Sequence, residues 1–179
     1  ELGTQHTDEI VDILRIGEAD LGLSLKDPRH PNIVAEPLAE GRLIAVAQAS
    51  TWSAAQRALP IELADLPDEL IGLPGNDSLG EMVAAAFDAQ ERQPLFRTVV
   101  QTYQLARTLV EAGGGMAVVD PFTALLPAGT ALAGRPLAPA LPVRLYVLSA
   151  SHSPLSHGAR ELVKCLAAVA RRCTGQAPG

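Results

Sequence analysis

The sequence predicts an α/β fold. Stretches with apolar residues at helical spacing alternate with short strand-like stretches along the chain, and residues 96–119 have the pattern strand, helix, strand. Hydrophobic residues make up 47% of the chain and charged residues 19%. This composition excludes a disordered chain, whose low hydrophobicity does not offset the entropy lost on ordering. With 179 residues, the chain has room for one good core or two small ones.

The first portion begins with a helix predicted near residues 7–16. We expect Thr7 to cap it, and Asp8 and Glu9 place negative charge at the positive end of the helix. Gly17 ends the helix, because glycine adopts the left-handed conformation that closes a helix. Alternating or apolar patterns then predict three strands, at residues 20–25, 34–38 and 43–47.

The middle of the chain is less regular. Residues 48–70 are polar and contain prolines, with a helix-like patch at 53–57, and we interpret them as a crossing between lobes. A short buried strand is predicted at 69–73 and ends in a turn-rich segment. Ser78 and Glu81 match a capping box, in which each side chain satisfies the exposed amide of the other residue. A second helix is therefore predicted to start at Ser78.

The clearest unit is a strand at 96–100, a helix at 102–112 and a strand at 116–119. A right-handed crossover makes the two strands parallel, and ligands in such sheets gather at the carboxyl ends of the strands beside helix N-termini. This edge is the predicted functional edge. The chain closes with a strand at 143–149 and a long helix with apolar residues at helical spacing over 159–170.

Motifs for catalysis and metal binding fail their spacing tests. The glycines at 113–115 follow a helix and precede no Lys-Ser or Lys-Thr pair, so they are interpreted as a helix-ending turn instead of a phosphate loop. Ser78 lacks the G-x-S-x-G context of a nucleophile. No two histidines have the i, i+4 spacing that places both on one metal. We therefore expect no catalytic residue, no metal site and no cofactor.

Charge and hydropathy limit the partners. The net charge of −6 opposes DNA binding by these residues, because phosphate binding needs clustered Lys and Arg. Aromatic residues make up 3% and leave little surface for stacking bases. No apolar stretch reaches the roughly 18 residues needed to span a bilayer, and the sequence does not start with a basic-then-apolar signal pattern. We expect a cytoplasmic protein with no membrane partner.

Three predicted helix starts, near Thr7, Ser78 and Thr102, are candidates for holding a ligand. Each exposes amides with partial positive charge, so a carboxylate can bind there without a basic side chain. The polar turn at 3–7 either donates hydrogen bonds to such an anion or serves only for capping and solvation. Asp120 either binds a cationic group of the ligand or opens a turn with the following proline. The candidate ligand-binding residues are Thr4, Gln5, His6, Thr7, Asn76, Asp77, Ser78, Thr102 and Asp120.

Two segments resemble the effector domain of LysR-type transcriptional regulators. Residues 7–23 form a helix followed by Gly17-Glu18-Ala19-Asp20 and a strand, and residues 109–119 form a helix that ends in glycines before a buried strand. Each motif alone is moderately specific, and their order makes the case. Glu36-Pro37-Leu38 and the closing amphipathic helix extend the resemblance over nearly the whole chain.

The resemblance implies two Rossmann-like subdomains joined by two crossovers, as in type 2 periplasmic binding proteins, with an effector in the cleft between them. Residues 1–48 and 133–179 would form the first subdomain, without its usual first strand and helix, and residues 49–132 the second. It also implies a winged helix-turn-helix upstream, absent from this chain, through which the full-length protein binds DNA as a homodimer or homotetramer.

Residues 118–124 are similar to members that respond to amino acids and opines, which implies a small carboxylate-bearing effector with a cationic group. The expected function is ligand sensing that controls DNA binding and transcription through a shift between two states. A solute-binding protein of a transporter is the main alternative, because it shares the two-lobed architecture and carboxylate binding at helix ends. An enzyme is the third and least favoured class.

Overall fold

The computed structural model describes residues 2–73, 78–125 and 131–175. It divides into two compact units, residues 1–40 with 143–179 and residues 41–142. In chain order the elements are α1 (Thr7–Arg15), β1 (Gly22–Ser24), β2 (Ile33–Arg42), β3 (Ile44–Gln48), α2 (Ala54–Arg57), β4 (Ile61–Glu62), β5 (Glu69–Gly72), α3 (Ser78–Asp88), β6 (Leu95–Val99), α4 (Tyr103–Glu111), β7 (Ala117–Val119), β8 (Leu132–Ala138), β9 (Pro142–Ala150) and α5 (His157–Cys173). This mixture of helices and sheets confirms the predicted α/β class.

The unit boundaries fall within or at the end of two long strands, β2 and β9. The sequence-based division placed residues 41–48 and 133–142 in the first subdomain, whereas the structure groups both segments with the second unit. The physical reason is strand pairing. β3 pairs antiparallel with β8 along its whole length, from Ile44 opposite Pro136 to Gln48 opposite Leu132.

The first unit has a three-stranded sheet in the order β1-β9-β2, with β1 antiparallel to β9. Helix α1 buries Val11 and Leu14. It lies so close to β1 that a Cβ on Gly22 would collide with the Ile10 side chain. Gly17 has φ +75° and follows the helix, as the sequence predicts.

The cap of α1 differs from the prediction. The N-cap is His6, whose backbone is extended and whose N–H donates to the Glu9 carboxylate at 3.0 Å. Thr7 is instead the first residue of the helix, and its hydroxyl lies 3.0 Å from the hydroxyl of Ser24. The prediction of a Thr7 cap is therefore wrong by one position, because the acidic residue that completes the cap lies three residues after His6.

The second unit has a six-stranded sheet in the order β4-β8-β3-β7-β5-β6. Strand β5 lies between β6 and β7 and is parallel to both, so the two strands of the predicted strand–helix–strand unit run in the same direction. Strand β3 runs antiparallel to β7 and β8. The carboxyl ends of β5, β6 and β7 consequently share one edge of the sheet, and their amino ends share the opposite edge.

Helix α4 packs on this sheet through Ala106 and Val110, which are 1% and 0% exposed. They join one buried apolar cluster with residues of the strands and of the connections around them, namely Val46, Ile71, Val100, Ala117, Val119, Ala124 and Leu132. Burial of this face fixes the helix relative to the sheet, and so fixes which edge each of its ends faces.

Residues 48–70 belong wholly to the second unit and do not form the crossing that the sequence suggested. Two arginines hold this stretch by donating to backbone carbonyls. Arg135 donates to Leu59 O at 2.9 Å and Pro60 O at 2.6 Å. Arg92 donates to the carbonyls of Leu63 and Leu66 at 2.7 and 2.8 Å.

Among the described helices, none has the length and hydropathy required to cross a bilayer.

Candidate functional site

The predicted functional edge is present in the second unit, where β6 gives way to α4. The Val100 N–H donates to Gly72 O at 2.9 Å, so β6 stays tied to β5 up to the edge of the sheet. Thr102 then caps α4, with extended backbone and a hydroxyl that accepts from the Leu105 N–H at 3.1 Å. A short connection therefore joins the carboxyl end of β6 to the positive N-terminus of α4.

The start of α4 is suited to an anion. Thr102 and Gln104 are exposed, and the Gln104 N–H has no hydrogen-bond partner within the part of the chain that the structure describes. The first turn of α4 contains no acidic residue. Unpaired amides and the helix dipole favour a carboxylate at such a position. Thr102 is thus placed as the sequence predicts, as a cap at this edge.

Asp120 follows β7 at the same edge and is 3% exposed. One carboxylate oxygen accepts from the N–H groups of Phe122 and Thr123, both at 2.9 Å, and the other accepts from the Thr123 hydroxyl at 2.6 Å. These bonds match the turn-opening interpretation of Asp120. A role in binding a cationic ligand group stays a prediction.

Arg107, on α4, is a residue that sequence reasoning missed. Its Nη1 donates to Thr123 O at 3.5 Å, and its Nε is buried with no hydrogen-bond partner within the described ranges. A guanidinium with such weak pairing retains donors for a carboxylate. No sequence signal marks it, because an arginine in the middle of an amphipathic helix usually lies on the solvated face.

The polar turn of the first unit is exposed at Thr4, Gln5 and His6, while Thr7 is half-buried. The Ser24 hydroxyl that contacts Thr7 is buried and also accepts from the Lys26 N–H at 3.0 Å. Two acidic residues, Asp8 and Glu9, lie in the first turn of α1. Their charge already complements the helix dipole and repels a further anion, so the start of α1 is less suited to a carboxylate than the start of α4.

Helix α3 begins at Ser78, within one residue of the predicted start, while the predicted capping box of Ser78 and Glu81 stays a prediction. Asn76 and Asp77 lie outside the described residues, as does the side chain of Ser78. The predicted roles of these three residues stay predictions.

A pocket of about 550 Å³ lies at the opposite edge of the same sheet, where β5 and β7 begin. Its walls include the glycine turn at 113–115, the end of β3, and Glu69 and Arg97. Gly113 and Gly115 have φ +88° and +120°. The Gly113 and Gly114 N–H groups donate to Val110 O at 3.0 Å and Leu109 O at 2.8 Å, which confirms the helix-ending turn.

Comparison with known proteins identifies the architecture. The family model described as LysR substrate binding domain matches residues 1–171. No curated protein matches the chain by sequence.

Three solved structures share the fold. Full-length CbnR bound to its target DNA is 21% identical, with a TM-score of 0.72 over 98% of this chain and 60% of CbnR. The regulatory domain of CcmR from Synechocystis, in complex with 2-PG, is 17% identical, with a TM-score of 0.70 over 91% of this chain and 79% of that one. The effector-binding domain of BenM with its effector benzoate is 24% identical, with a TM-score of 0.68 over 92% and 77%. This chain therefore spans 60% of the length of full-length CbnR.

Proposed function

Because the chain belongs to the LysR substrate-binding domain family, we propose that it is the effector-sensing domain of a LysR-type bacterial transcription regulator. The single observation that carries this proposal is the family match over residues 1–171. Two ligand complexes support a sensing role, since the CcmR regulatory domain holds 2-PG and the BenM effector-binding domain holds benzoate. The family match favours a regulator over a transporter's solute-binding protein or an enzyme.

The start of α4 is the position where the effector's carboxylate binds in this proposal. Thr102 orients the first turn, the exposed Gln104 N–H donates to the anion, and Arg107 supplies a second set of donors one turn further along the helix. No acidic side chain in the first turn opposes the positive end of the helix dipole. The effector is a small carboxylate-bearing metabolite, with an amino acid or opine as the finer expectation.

Effector binding by Thr4, Gln5, His6 and Thr7 stays a prediction from the resemblance. The structure adds one physical requirement to it. A ligand bound at that turn must offer hydrogen-bond donors or positive charge as well as an anion, because Asp8 and Glu9 lie beside it. An amino-acid derivative with a cationic group meets this requirement, whereas a simple dianion does not.

Regulation follows from a difference in affinity between two states. An effector that binds one state more tightly shifts the population toward it, and DNA bound by the full-length protein changes effector affinity by the same factor. The DNA contact belongs to a winged helix-turn-helix outside this chain, in a cytoplasmic homodimer or homotetramer. CbnR, solved at full length with its target DNA, supports this arrangement.

A thermal-unfolding screen of this chain tests the proposal. Amino acids, their N-carboxyalkyl derivatives and benzoate are each compared with the corresponding primary amide, which lacks the anionic charge. A ligand at about 100 times its Kd adds about 2.7 kcal/mol of stability, which raises the Tm of a chain of this size by about 5–10 °C. A carboxylate that shifts the Tm while its amide does not supports the proposal. Equal shifts with acid and amide, or no shift with any carboxylate, would contradict it.

A further inference from the structure

A pocket lies at the opposite edge of the second unit. We propose that it is a second ligand-binding site and binds a zwitterion with an apolar body, of the α-amino acid class. Its volume of about 550 Å³ lies within the range of about 300–1,000 Å³ that small-molecule sites occupy. This site is separate from the one proposed above, because Thr102 lies at the start of α4 and the glycine turn lies at its end.

A β-bulge builds the charged wall of this pocket. In the parallel pair of β5 and β6, Leu70 lies opposite Phe96 but Ile71 lies opposite Thr98, so Arg97 is an extra residue in β6. A regular strand sends neighbouring side chains to opposite faces, whereas here both Arg97 and Thr98 line the pocket. Bulges re-aim side chains in this way and are frequent beside binding sites.

The charged wall carries both signs. Arg97 Nη2 lies 3.0 Å from Glu69 Oε1, and the two side chains are 71% and 53% exposed. An exposed ion pair of this kind contributes little to stability, so a ligand displaces or joins it at low cost. The guanidinium keeps further N–H donors and the carboxylate keeps a second oxygen for that ligand.

The remaining walls suit an apolar body. The floor consists of buried apolar residues: Ala47, Leu70, Ile71 and Met116 are all less than 9% exposed. The glycine turn forms a wall without side chains, and a Cβ on Gly114 would lie 2.9 Å from Leu109 O. Gln48 also lines the pocket, and its amide is already directed to Glu111 O at 3.4 Å. Because its three residues are glycines, the turn adds no side chain that would fill the pocket.

The adjacency of the two charges selects the ligand class. The ammonium and carboxylate of an α-amino acid are attached to one carbon, which matches a carboxylate and a guanidinium in direct contact. A purely anionic ligand is repelled by Glu69, and a purely cationic ligand is repelled by Arg97. An apolar side chain then lies on the floor, where its burial adds affinity.

Amide NMR spectra of the ¹⁵N-labelled chain, titrated with L-leucine and L-phenylalanine, test the proposal. We expect the signals of Gly113, Gly114 and Gly115 to shift, whereas a shift of the Gln101 and Gln104 signals would report separate binding at the start of α4. Two leucine analogues separate the charges: 4-methylpentanoate lacks the ammonium and 3-methylbutylamine lacks the carboxylate. Each should bind about tenfold or more weakly than L-leucine, because each loses a charge-assisted hydrogen bond.

Substitutions at the charged wall complete the test. Arg97→Gln and Glu69→Gln should each weaken L-leucine binding about tenfold or more. The matched control is Arg144→Gln, which breaks another exposed Arg–Glu pair, at 2.6 Å from Glu40 in the first unit, and should leave L-leucine binding unchanged. Unshifted glycine signals with both amino acids, wild-type affinity of Arg97→Gln, or 4-methylpentanoate binding as tightly as L-leucine would each overturn the proposal. Because each affinity is read from the glycine signals, these results are independent of carboxylate binding at the start of α4.

Discussion

Replacement of Asp120 separates its structural role from a role in ligand binding. Its buried carboxylate accepts hydrogen bonds from two N–H groups at 2.9 Å and from the Thr123 hydroxyl at 2.6 Å. Asp120→Ala removes all of these bonds and leaves buried donors unpaired. Hydrogen bonds to charged groups contribute about 1.5–3 kcal/mol each, and partial access of water reduces the total. We expect a loss of about 3–5 kcal/mol in the free energy of unfolding.

Asp120→Asn provides the graded comparison. Its side-chain oxygen still accepts from the N–H groups of Phe122 and Thr123, and only the short bond to the Thr123 hydroxyl changes. The expected loss is about 1–2 kcal/mol. Since about 2–4 °C of Tm corresponds to 1 kcal/mol in a chain of this size, the Ala variant should unfold about 6–20 °C below wild type and the Asn variant about 2–8 °C below it.

Urea and thermal unfolding of both variants, without ligand, measure these losses. Thr123→Val is the partner variant, and a double-mutant cycle with Asp120→Asn should show coupling because the two side chains share a hydrogen bond. If Asp120→Ala lost less than about 1 kcal/mol, the turn would not depend on this carboxylate. A selective loss of affinity for cationic ligands in Asp120→Asn would then assign Asp120 to the ligand.

Three further substitutions test the second unit. Arg135→Met should lower the free energy of unfolding by about 3 kcal/mol in urea melts, because it leaves the carbonyls of Leu59 and Pro60 without their donor. Arg144→Met, which breaks an exposed ion pair, should leave the free energy of unfolding nearly unchanged. Thr102→Ala should cost about 1 kcal/mol by loss of the α4 cap, and Thr102→Ser should restore it. Arg107→Met should weaken about tenfold, by calorimetric titration, the binding of any carboxylate from the thermal screen that Arg97→Gln binds with wild-type affinity, and should leave the affinity for its primary amide unchanged. Equal effects on acid and amide would remove Arg107 from the anion site.

Elements defined by backbone requirements are the ones that the sequence predicts well. Gly17, Gly113 and Gly115 adopt positive φ after predicted helices, and Thr102 caps α4 as its residue type suggests. The strand β8 was missed, because Gly134 and Pro136 interrupt the strand pattern. Because β8 pairs with β3, residues 41–48 and 133–142 both belong to the second unit. The missed strand therefore also explains why the predicted subdomain boundaries differ from the observed ones.

Contacts between side chains and residues distant in the sequence could not be predicted. Arg92 and Arg135 donate to carbonyls of a proline-containing stretch, and the sequence gives no indication that an arginine in one element reaches the backbone of another. Arg97 lies at the register shift between β5 and β6 and lines a pocket, and periodicity does not reveal such a shift. For the same reason, residues 48–70 looked like a loose crossing although two arginines hold them to the second unit.

This difference explains why the family is easier to identify than the ligand. Structures only 17% and 24% identical to this chain keep its fold while they hold different ligands, 2-PG and benzoate. Turn glycines and helix caps satisfy the backbone, whose requirements are set by the fold. In both of our proposals, ligand chemistry depends instead on a few side chains, namely Arg97, Glu69 and Arg107, which are exposed or weakly paired. The residues proposed to decide what this protein binds are thus those with the weakest signal in its sequence, and substitution of these side chains is the direct test of the two proposed sites.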